Sequence, residues 1–261
     1  MFLHKFSLYF HIKYRPYVYT FGYTHINKFS LVKFTEPMYN VIIKKMKGCV
    51  FMKVLMANGS PHKEGCTYTA LCEIAAELKK QGIDSEIFWI GNKPIGGCIA
   101  CMKCREIGKC VFDDTVNKFR EKAYEADGFI FGSPVHYAAA SGNMTAFMDR
   151  LFYSEGRNGN KAFYMKPAAA VISARRAGTT ATFDQLNKYF TIQEMPVVSS
   201  RYWNMVHGAN AEQVKQDAEG LYTMRVLARN MAYMLKAFEA AKNAEVAMPE
   251  RETPIFTNFI R

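Results

Sequence analysis

From Met52 onward, short apolar segments alternate with amphipathic ones, and this alternation restricts the possible folds more than any other feature. Each apolar segment has the length of a buried strand, and most run into Gly, Ser or Pro; the five are "KVLMANGSP", "SEIFWI", "GFIFGSPVHY", "PAAAVISA" and "MPVVSS". Strands joined by helical crossovers form a parallel sheet covered by helices on both faces. The sequence therefore predicts an α/β three-layer sandwich with a five-stranded parallel sheet.

The helices are predicted from apolar residues at helical spacing between these strands. They fall in "CTYTALCEIAAELKKQG", from Val116 to Ala123, over 143–153, over 180–190 and over 211–243. Asp113 and Asp114 stand where the second of these helices begins, so helix capping is their expected role rather than acid–base catalysis.

Residues 1–51 have a different composition and are expected to be a basic, aromatic extension outside the core fold. They contain 13 Phe or Tyr and eight of the 34 Lys and Arg, but one acidic residue, Glu36. Residues 52–261 hold 26 basic and 22 acidic residues, a balance that does not indicate a nucleic-acid partner. The extension lacks the roughly 20 apolar residues of a membrane span and the pattern of a signal peptide. A cytoplasmic protein is expected, with the extension either dispensable or contacting a membrane surface or an acidic partner.

Three loops are expected to meet at one edge of the sheet, because ligands bind beyond the carboxyl ends of parallel strands. They are "NGSPHKEGCT", "GSPVHYAAASGNM" and "SARRAGTT". The first resembles a phosphate cradle, with Gly59, Gly65 and two hydroxyls before a helix, although a helix cap is an equal alternative. In the third loop, Arg175 and Arg176 are either ligand contacts or solvated surface residues.

Four of the seven cysteines lie in "GCIACMKCREIGKC", at positions 98, 101, 104 and 110. Disulfides are disfavoured by the odd count, the close spacing and the missing signal peptide. Structural zinc usually takes two separated ligand pairs. Three cysteines at every third position suit a cuboid iron–sulfur cluster, with the fourth ligand shortly after. From the residues alone, the four cysteines are compatible with an iron–sulfur cluster, with free thiols and with a zinc site.

Several motifs in order resemble one family, the flavodoxin-like NAD(P)H-dependent FMN reductases, and within it the iron–sulfur flavoproteins. The motifs are "MKVLMANGSPHKEGCTYTAL", "GCIACMKCREIGKCVFDD", "ADGFIFGSPVHYAAASGNMTAFMDRLFYS" and "MPVVSSRYWNMVHG". The likeness extends from residue 52 to about 240. It implies a flavodoxin-like domain over 52–261 with a cysteine-rich loop at 97–111.

The resemblance also implies the cofactors and the residues that hold them. Non-covalent FMN is expected, and a single phosphate cradle without a second fingerprint argues against FAD. The implied flavin contacts are Ser60, His62, Cys66, Thr67, Ser133, Pro134, Val135, His136, Tyr137, Ala174, Arg175 and Gly178. Two positions depart from the family pattern, since His62 stands where Arg is common and Cys66 where Asn is common. The implied ligands of a [4Fe-4S] cluster are Cys98, Cys101, Cys104 and Cys110.

Three functions are compatible with these expectations. The first is an enzyme that transfers electrons from NAD(P)H to a flavin, quinone or similar small acceptor. The second is an electron carrier that works with a ferredoxin-like partner, and the third is a flavin-binding protein with little turnover. The resemblance implies a homo-oligomer, a homodimer or homotetramer, whose subunits complete each other's flavin sites. No residue is identified as a general acid or base.

Overall fold

The computed structural model describes residues 9–14, 17–22, 30–35, 52–253, 255–257 and 259. The chain forms two compact units, Met1–Phe51 and Met52–Arg261. In the first unit, three strands form an antiparallel meander in which Tyr14 pairs with Tyr17; they are β1 (Tyr9–Tyr14), β2 (Tyr17–Gly22) and β3 (Ser30–Thr35). These segments are rich in aromatic and β-branched residues, which favour strands. No strand or helix is predicted there from the sequence.

The second unit alternates strands and helices. Its strands are β4 (Lys53–Asn58), β5 (Asp84–Trp89), β6 (Gly128–His136), β7 (Ala139–Ala140), β8 (Ala168–Ala174) and β9 (Met205–His207). Its helices are α1 (Cys66–Lys80), α2 (Cys104–Ile107), α3 (Thr115–Ala123), α4 (Gly142–Arg157), α5 (Thr179–Ile192), α6 (Ala211–Val214) and α7 (Ala218–Asn243).

Five of these strands form a parallel sheet in the order β5-β4-β6-β8-β9, and β7 pairs antiparallel with the end of β6. This is the order of the flavodoxin-like doubly wound fold, whose switch point lies between the first and third strands. Here those strands are β4 and β6. The predicted fold class is confirmed.

Alternate residues of each strand enter two separate cores, one on each face of the sheet. In β4, Leu55 and Ala57 face one core, and Val54 and Met56 face the other. The first core is closed by α3, α4 and α5, and the second by α1 and α7. Burial on both faces explains why the strands read as continuous apolar runs rather than as alternating ones.

The predicted fifth strand is in the wrong place. The segment "MPVVSS" makes one isolated parallel bridge, between Val197 and Ala168, whereas the fifth strand is β9, about eight residues later. Pro196 has no N–H group, so it can offer only its carbonyl, which accepts from the N–H of Ala168 at 2.9 Å. The chain then leaves the sheet edge and returns at Met205.

The predicted helix over 211–243 is two helices. Asn210 caps α6 by accepting from the N–H of Gln213 at 2.9 Å, and Asp217 caps α7 by accepting from the N–H of Gly220 at 2.9 Å. A second cap within one segment restarts the helix, because each cap residue takes a non-helical conformation. Although α7 has 26 residues, neither it nor any other helix in the described part of the chain is long and apolar enough to cross a membrane.

We predict that a chain beginning at Met52 folds cooperatively and keeps its flavin content. In the part of the chain whose burial the structure describes, both cores are built from residues 52 onward, and Met52–Arg261 forms a compact unit, so we expect this unit to fold alone. Thermal unfolding and flavin content per chain, compared with the full-length protein, check this. Insolubility or flavin loss in the shortened chain would show that the extension is structural.

Candidate functional site: an anion-binding pocket and a four-cysteine pocket

A pocket of about 230 Å³ opens at the carboxyl edge of the sheet, beside the switch point. Loops that follow β4, β6, β8 and β9 meet there. Nine of the residues expected to contact flavin line it: Ser60, His62, Cys66, Thr67, Pro134, Val135, His136, Ala174 and Arg175. Pro61, Ser173, Gly208 and Ala209 line it as well and were not expected.

The loop after β4 is held in shape by the side chain of Asn58, which is fully buried. Its amide oxygen accepts from the N–H of Ser60 at 3.1 Å, and its amide nitrogen donates to the carbonyl of Lys63 at 2.9 Å. The indole N–H of Trp89 donates to the Ser60 carbonyl at 2.8 Å. The loop is thus fixed by groups of the protein before any ligand enters.

Helix α1 points its N-terminus at this loop, and no side chain caps it: the N-cap position is Gly65. The first N–H groups of a helix have no intrahelical acceptor, and the helix dipole favours an anion at this end. The Thr67 and Ser173 hydroxyls share a buried hydrogen bond of 2.8 Å. Burial raises the pKa of the Cys66 thiol, which donates to the Gly208 carbonyl at 3.5 Å. A neutral thiol adds no charge that would repel an anion.

Three of the expected flavin residues do not line the pocket. Ser133 is buried beneath it, where its hydroxyl accepts from the N–H of Ser141 at 3.1 Å and donates to the Pro134 carbonyl at 2.9 Å. Tyr137 is fully exposed and has a left-handed backbone, with φ of 56°. Gly178 is the N-cap of α5, with φ of 94°, and a Cβ there would lie 2.8 Å from a methyl of Val135.

A second pocket is lined by Cys98, Cys101, Cys104 and Cys110 together. Cys98 and Cys101 are exposed, Cys110 is half-buried and Cys104 is buried. Burial raises the pKa of the Cys104 thiol, and the three neighbouring cysteines raise it further. The backbone between them is left-handed at Ala100 and Met102, with φ of 52° and 61°. Such conformations cost roughly 1–2 kcal/mol per non-glycine residue.

The four thiols share one pocket, yet they are not arranged as a closed coordination sphere. Among the described residues, no group of three or more His, Cys, Asp or Glu side chains is placed to hold a metal ion, and the cavity between the thiols is small, about 20 Å³. The donor chemistry suits a thiolate-ligated cluster.

Residues 52–210 match the family model described as NADPH-dependent FMN reductase. This chain belongs to that family. An iron–sulfur flavoprotein of Methanocaldococcus jannaschii is 32% identical over 196 residues, which cover 71% of this chain and 98% of that protein. An iron–sulfur flavoprotein of Archaeoglobus fulgidus is 29% identical over 204 residues, 74% of this chain and 98% of the relative. The chain lies in the iron–sulfur flavoprotein branch of the FMN reductases and is a flavin-dependent oxidoreductase, as the motifs predicted.

Solved structures share the fold at low identity. RosB, with a bound riboflavin-phosphate intermediate, superposes with a TM-score of 0.56 at 13% identity, over 80% of this chain and 92% of its own. A flavone reductase superposes with a TM-score of 0.56 at 18% identity, over 73% of this chain and 65% of its own. At these identities the likeness concerns the fold alone.

The lining of the first pocket is chemically suited to FMN. The uncapped N-terminus of α1 and the hydroxyls of Ser60 and Thr67 offer donors to a phosphate. Pro134, Val135 and Ala174 add apolar surface to the lining, and Arg175 adds a cation. Of the four unexpected lining residues, Pro61 and Ser173 belong to loops predicted at this edge, whereas Gly208 and Ala209 follow β9, the strand that was misplaced.

We predict that Gly178→Ala weakens FMN binding roughly tenfold, which corresponds to about 1.4 kcal/mol. The new Cβ must displace Val135, which lines the pocket, in addition to the cost of the left-handed backbone. Fluorescence titration of FMN into flavin-free protein measures the affinity.

Gly82→Ala is the matched control. Gly82 also has a left-handed backbone, with φ of 76°, but a Cβ there has no neighbour within 4 Å. It should lower thermal stability without changing FMN affinity. Equal FMN affinities for the two variants would show that the contact between residue 178 and Val135 does not shape the pocket.

Proposed function

We propose that this protein is an FMN-dependent oxidoreductase that takes electrons from NAD(P)H and passes them to a flavin, quinone or similar small acceptor, with a [4Fe-4S] cluster on Cys98, Cys101, Cys104 and Cys110. The observation that carries the proposal is the presence of two separate pockets in one unit, one built for a phosphate beside an apolar wall and one lined by four thiols. A simple flavin reductase needs only the first.

The residues of the first pocket bind and orient rather than transfer protons. Bound FMN would accept a hydride and release electrons singly or in pairs. The backbone N–H groups at the start of α1 and the hydroxyls of Ser60 and Thr67 would hold the phosphate, and Pro134, Val135 and His136 would lie along the ring. Arg175 would supply a cation to stabilise the negative charge added on reduction. Tyr137 is exposed at the rim, so we assign it to the surface against which an incoming substrate or a neighbouring subunit packs.

The second pocket supports the cluster through its donors and its backbone. Four thiolates are the ligand set that iron–sulfur clusters use. Two left-handed non-glycine residues flank Cys101, and such conformations persist where something else determines the local structure. The relatives from Methanocaldococcus jannaschii and Archaeoglobus fulgidus carry iron–sulfur in their names.

The four-thiol pocket also favours a second candidate function, electron transfer between a ferredoxin-like partner and an acceptor without NAD(P)H. Exposed apolar side chains surround the cysteines, with Ile99 at 62% and Ile107 at 49% exposure. A carrier needs such an accessible surface near its cluster. In either case we propose a cytoplasmic homodimer or homotetramer.

We predict that the purified holoprotein oxidises NADH or NADPH in steady state when a free flavin or a quinone is supplied. Absorbance at 340 nm, followed anaerobically with each nucleotide, measures the rate. No oxidation of either nucleotide, combined with rapid reduction by a reduced ferredoxin, would favour the carrier instead.

We predict that Ala in place of Cys98, Cys101, Cys104 or Cys110 removes or degrades the cluster and leaves FMN bound. Loss of one soft thiolate ligand opens the cluster, while the flavin pocket is built from the loops after β4, β6, β8 and β9. Iron, acid-labile sulfide and flavin per chain are measured after anaerobic purification.

Cys66→Ala and Cys72→Ala are the controls and should keep iron at the wild-type level, because neither lines the four-cysteine pocket. Wild-type protein with full FMN occupancy and neither iron nor sulfide would contradict the cluster proposal and leave a simple flavin reductase.

A further inference from the structure

Helix α4 contributes one charged side chain, Arg150, to the four-cysteine pocket. It is 1% exposed, which makes it the largest fully buried side chain of the described residues. Burying a guanidinium costs several kcal/mol unless its donors are satisfied. The acceptors that Arg150 contacts therefore indicate why this residue is buried.

All five N–H donors of Arg150 find acceptors, and every acceptor lies at one of the two ends of the cysteine loop. Nε donates to the Cys110 sulfur at 3.2 Å. Nη1 donates to the Gly96 carbonyl at 3.3 Å and to Asp114 at 2.7 Å, and Nη2 to the Phe112 carbonyl at 3.4 Å and to Asp114 at 3.0 Å. One side chain thus joins the residues just before Cys98 to those around and after Cys110.

Asn117 in α3 completes the fixation of Cys110. Its amide oxygen accepts from the N–H of Cys110 at 3.2 Å, and its amide nitrogen donates to the carbonyls of Cys110 at 2.9 Å and Phe112 at 3.0 Å. Asn117 is 2% exposed. Cys110 is therefore the sulfur whose position is set by two helices, whereas Cys98 and Cys101 are exposed on an irregular loop.

We propose that Arg150 is a positioning residue for the cluster, which fixes Cys110 and closes the loop at both ends and which donates an N–H···S hydrogen bond to a ligating sulfur. The inference rests on the proposed cluster. A thiolate-ligated cluster gains negative charge on reduction, so a buried cation and a hydrogen bond to its sulfur favour the reduced form. Arg150 should therefore raise the reduction potential of the cluster.

Arg150→Met and Arg150→Lys test this in the full-length, anaerobically purified protein. Arg120→Met is the matched control: Arg120 of α3 pairs with fully buried Glu155 of α4 at 2.7 Å, so its loss breaks an ion pair between the same two helices away from the cysteines. Iron and sulfide per bound FMN are measured, and the midpoint potential is found by redox titration followed by electron paramagnetic resonance.

Arg150→Met should lower iron and sulfide per bound FMN, because removing a partner of a metal ligand usually lowers metal affinity about 10–100-fold, and any cluster that remains should have a lower midpoint potential. Arg150→Lys keeps the charge but not the planar fork, so it should lose iron while the remaining cluster shifts less. Arg120→Met should lower thermal stability and leave iron and potential unchanged. Wild-type iron and potential in both Arg150 variants would overturn the inference.

Hydrogen exchange over residues 96–114, measured after chelation, separates this inference from the cluster proposal. If wild-type protein holds no iron, the cluster proposal fails, but faster exchange at both loop ends in Arg150→Met and not in Arg120→Met would still support positioning. Unchanged exchange would overturn it. If Arg150→Met does not retain FMN and so has not folded, Arg150→Lys and Asp114→Asn test the inference instead. Iron, sulfide, midpoint potential and hydrogen exchange are measured for both variants.

Discussion

The close approach of the end of β4 to the middle of β6, at Gly59 and Gly132, is the constraint on which the pocket proposed for FMN depends. The N–H of Gly59, just after β4, donates to the carbonyl of Gly132 in β6 at 2.8 Å. A Cβ on Gly59 would lie 2.9 Å from that carbonyl and 2.8 Å from the sulfur of Met144, and a Cβ on Gly132 would lie 2.8 Å from a methyl of Thr67. Because neither glycine has a side chain, the N-terminal ends of α1 and α4 can pack closely against β4 and β6.

The parts of the fold that sequence predicted well are those dominated by burial. The apolar runs of β4, β6 and β8 are enclosed on both faces, so their composition leaves no alternative to a central parallel strand. The edge strand β9 has three residues, and the apolar segment eight residues earlier is a stronger strand pattern than the strand itself. The signal of β9 is weak because its three residues pair on one side only. The same misplacement concealed Gly208 and Ala209 as pocket residues.

In the cysteine loop, the sequence identified the four cysteines but not the residues that hold the loop in place. Spacing alone selected Cys98, Cys101, Cys104 and Cys110 as one group, and all four line one pocket. Nothing in the spacing indicated Arg150 or Asn117, because these residues lie 40 positions and seven positions from Cys110 and meet it only through the packing of α3 and α4. Asp114 was expected to cap a helix and does, by accepting from the N–H of Val116, but it also pairs with Arg150. The sequence of a helix does not show which residues a buried arginine will contact.

Helix α4 connects the two pockets within one chain. Its N-cap, Ser141, donates through its hydroxyl to the carbonyl of Gly59 at 2.9 Å and through its N–H to Ser133 at 3.1 Å, both beneath the flavin pocket. Nine residues later, about 14 Å along a helix, Arg150 holds Cys110. Because α4 is a continuous helix, the distance between Ser141 and Arg150 is fixed. The position of Arg150 in the helix therefore sets the separation of the two pockets. An inserted residue between 141 and 150 would rotate Arg150 by about 100° and part it from Cys110, although none of the four cysteines is changed.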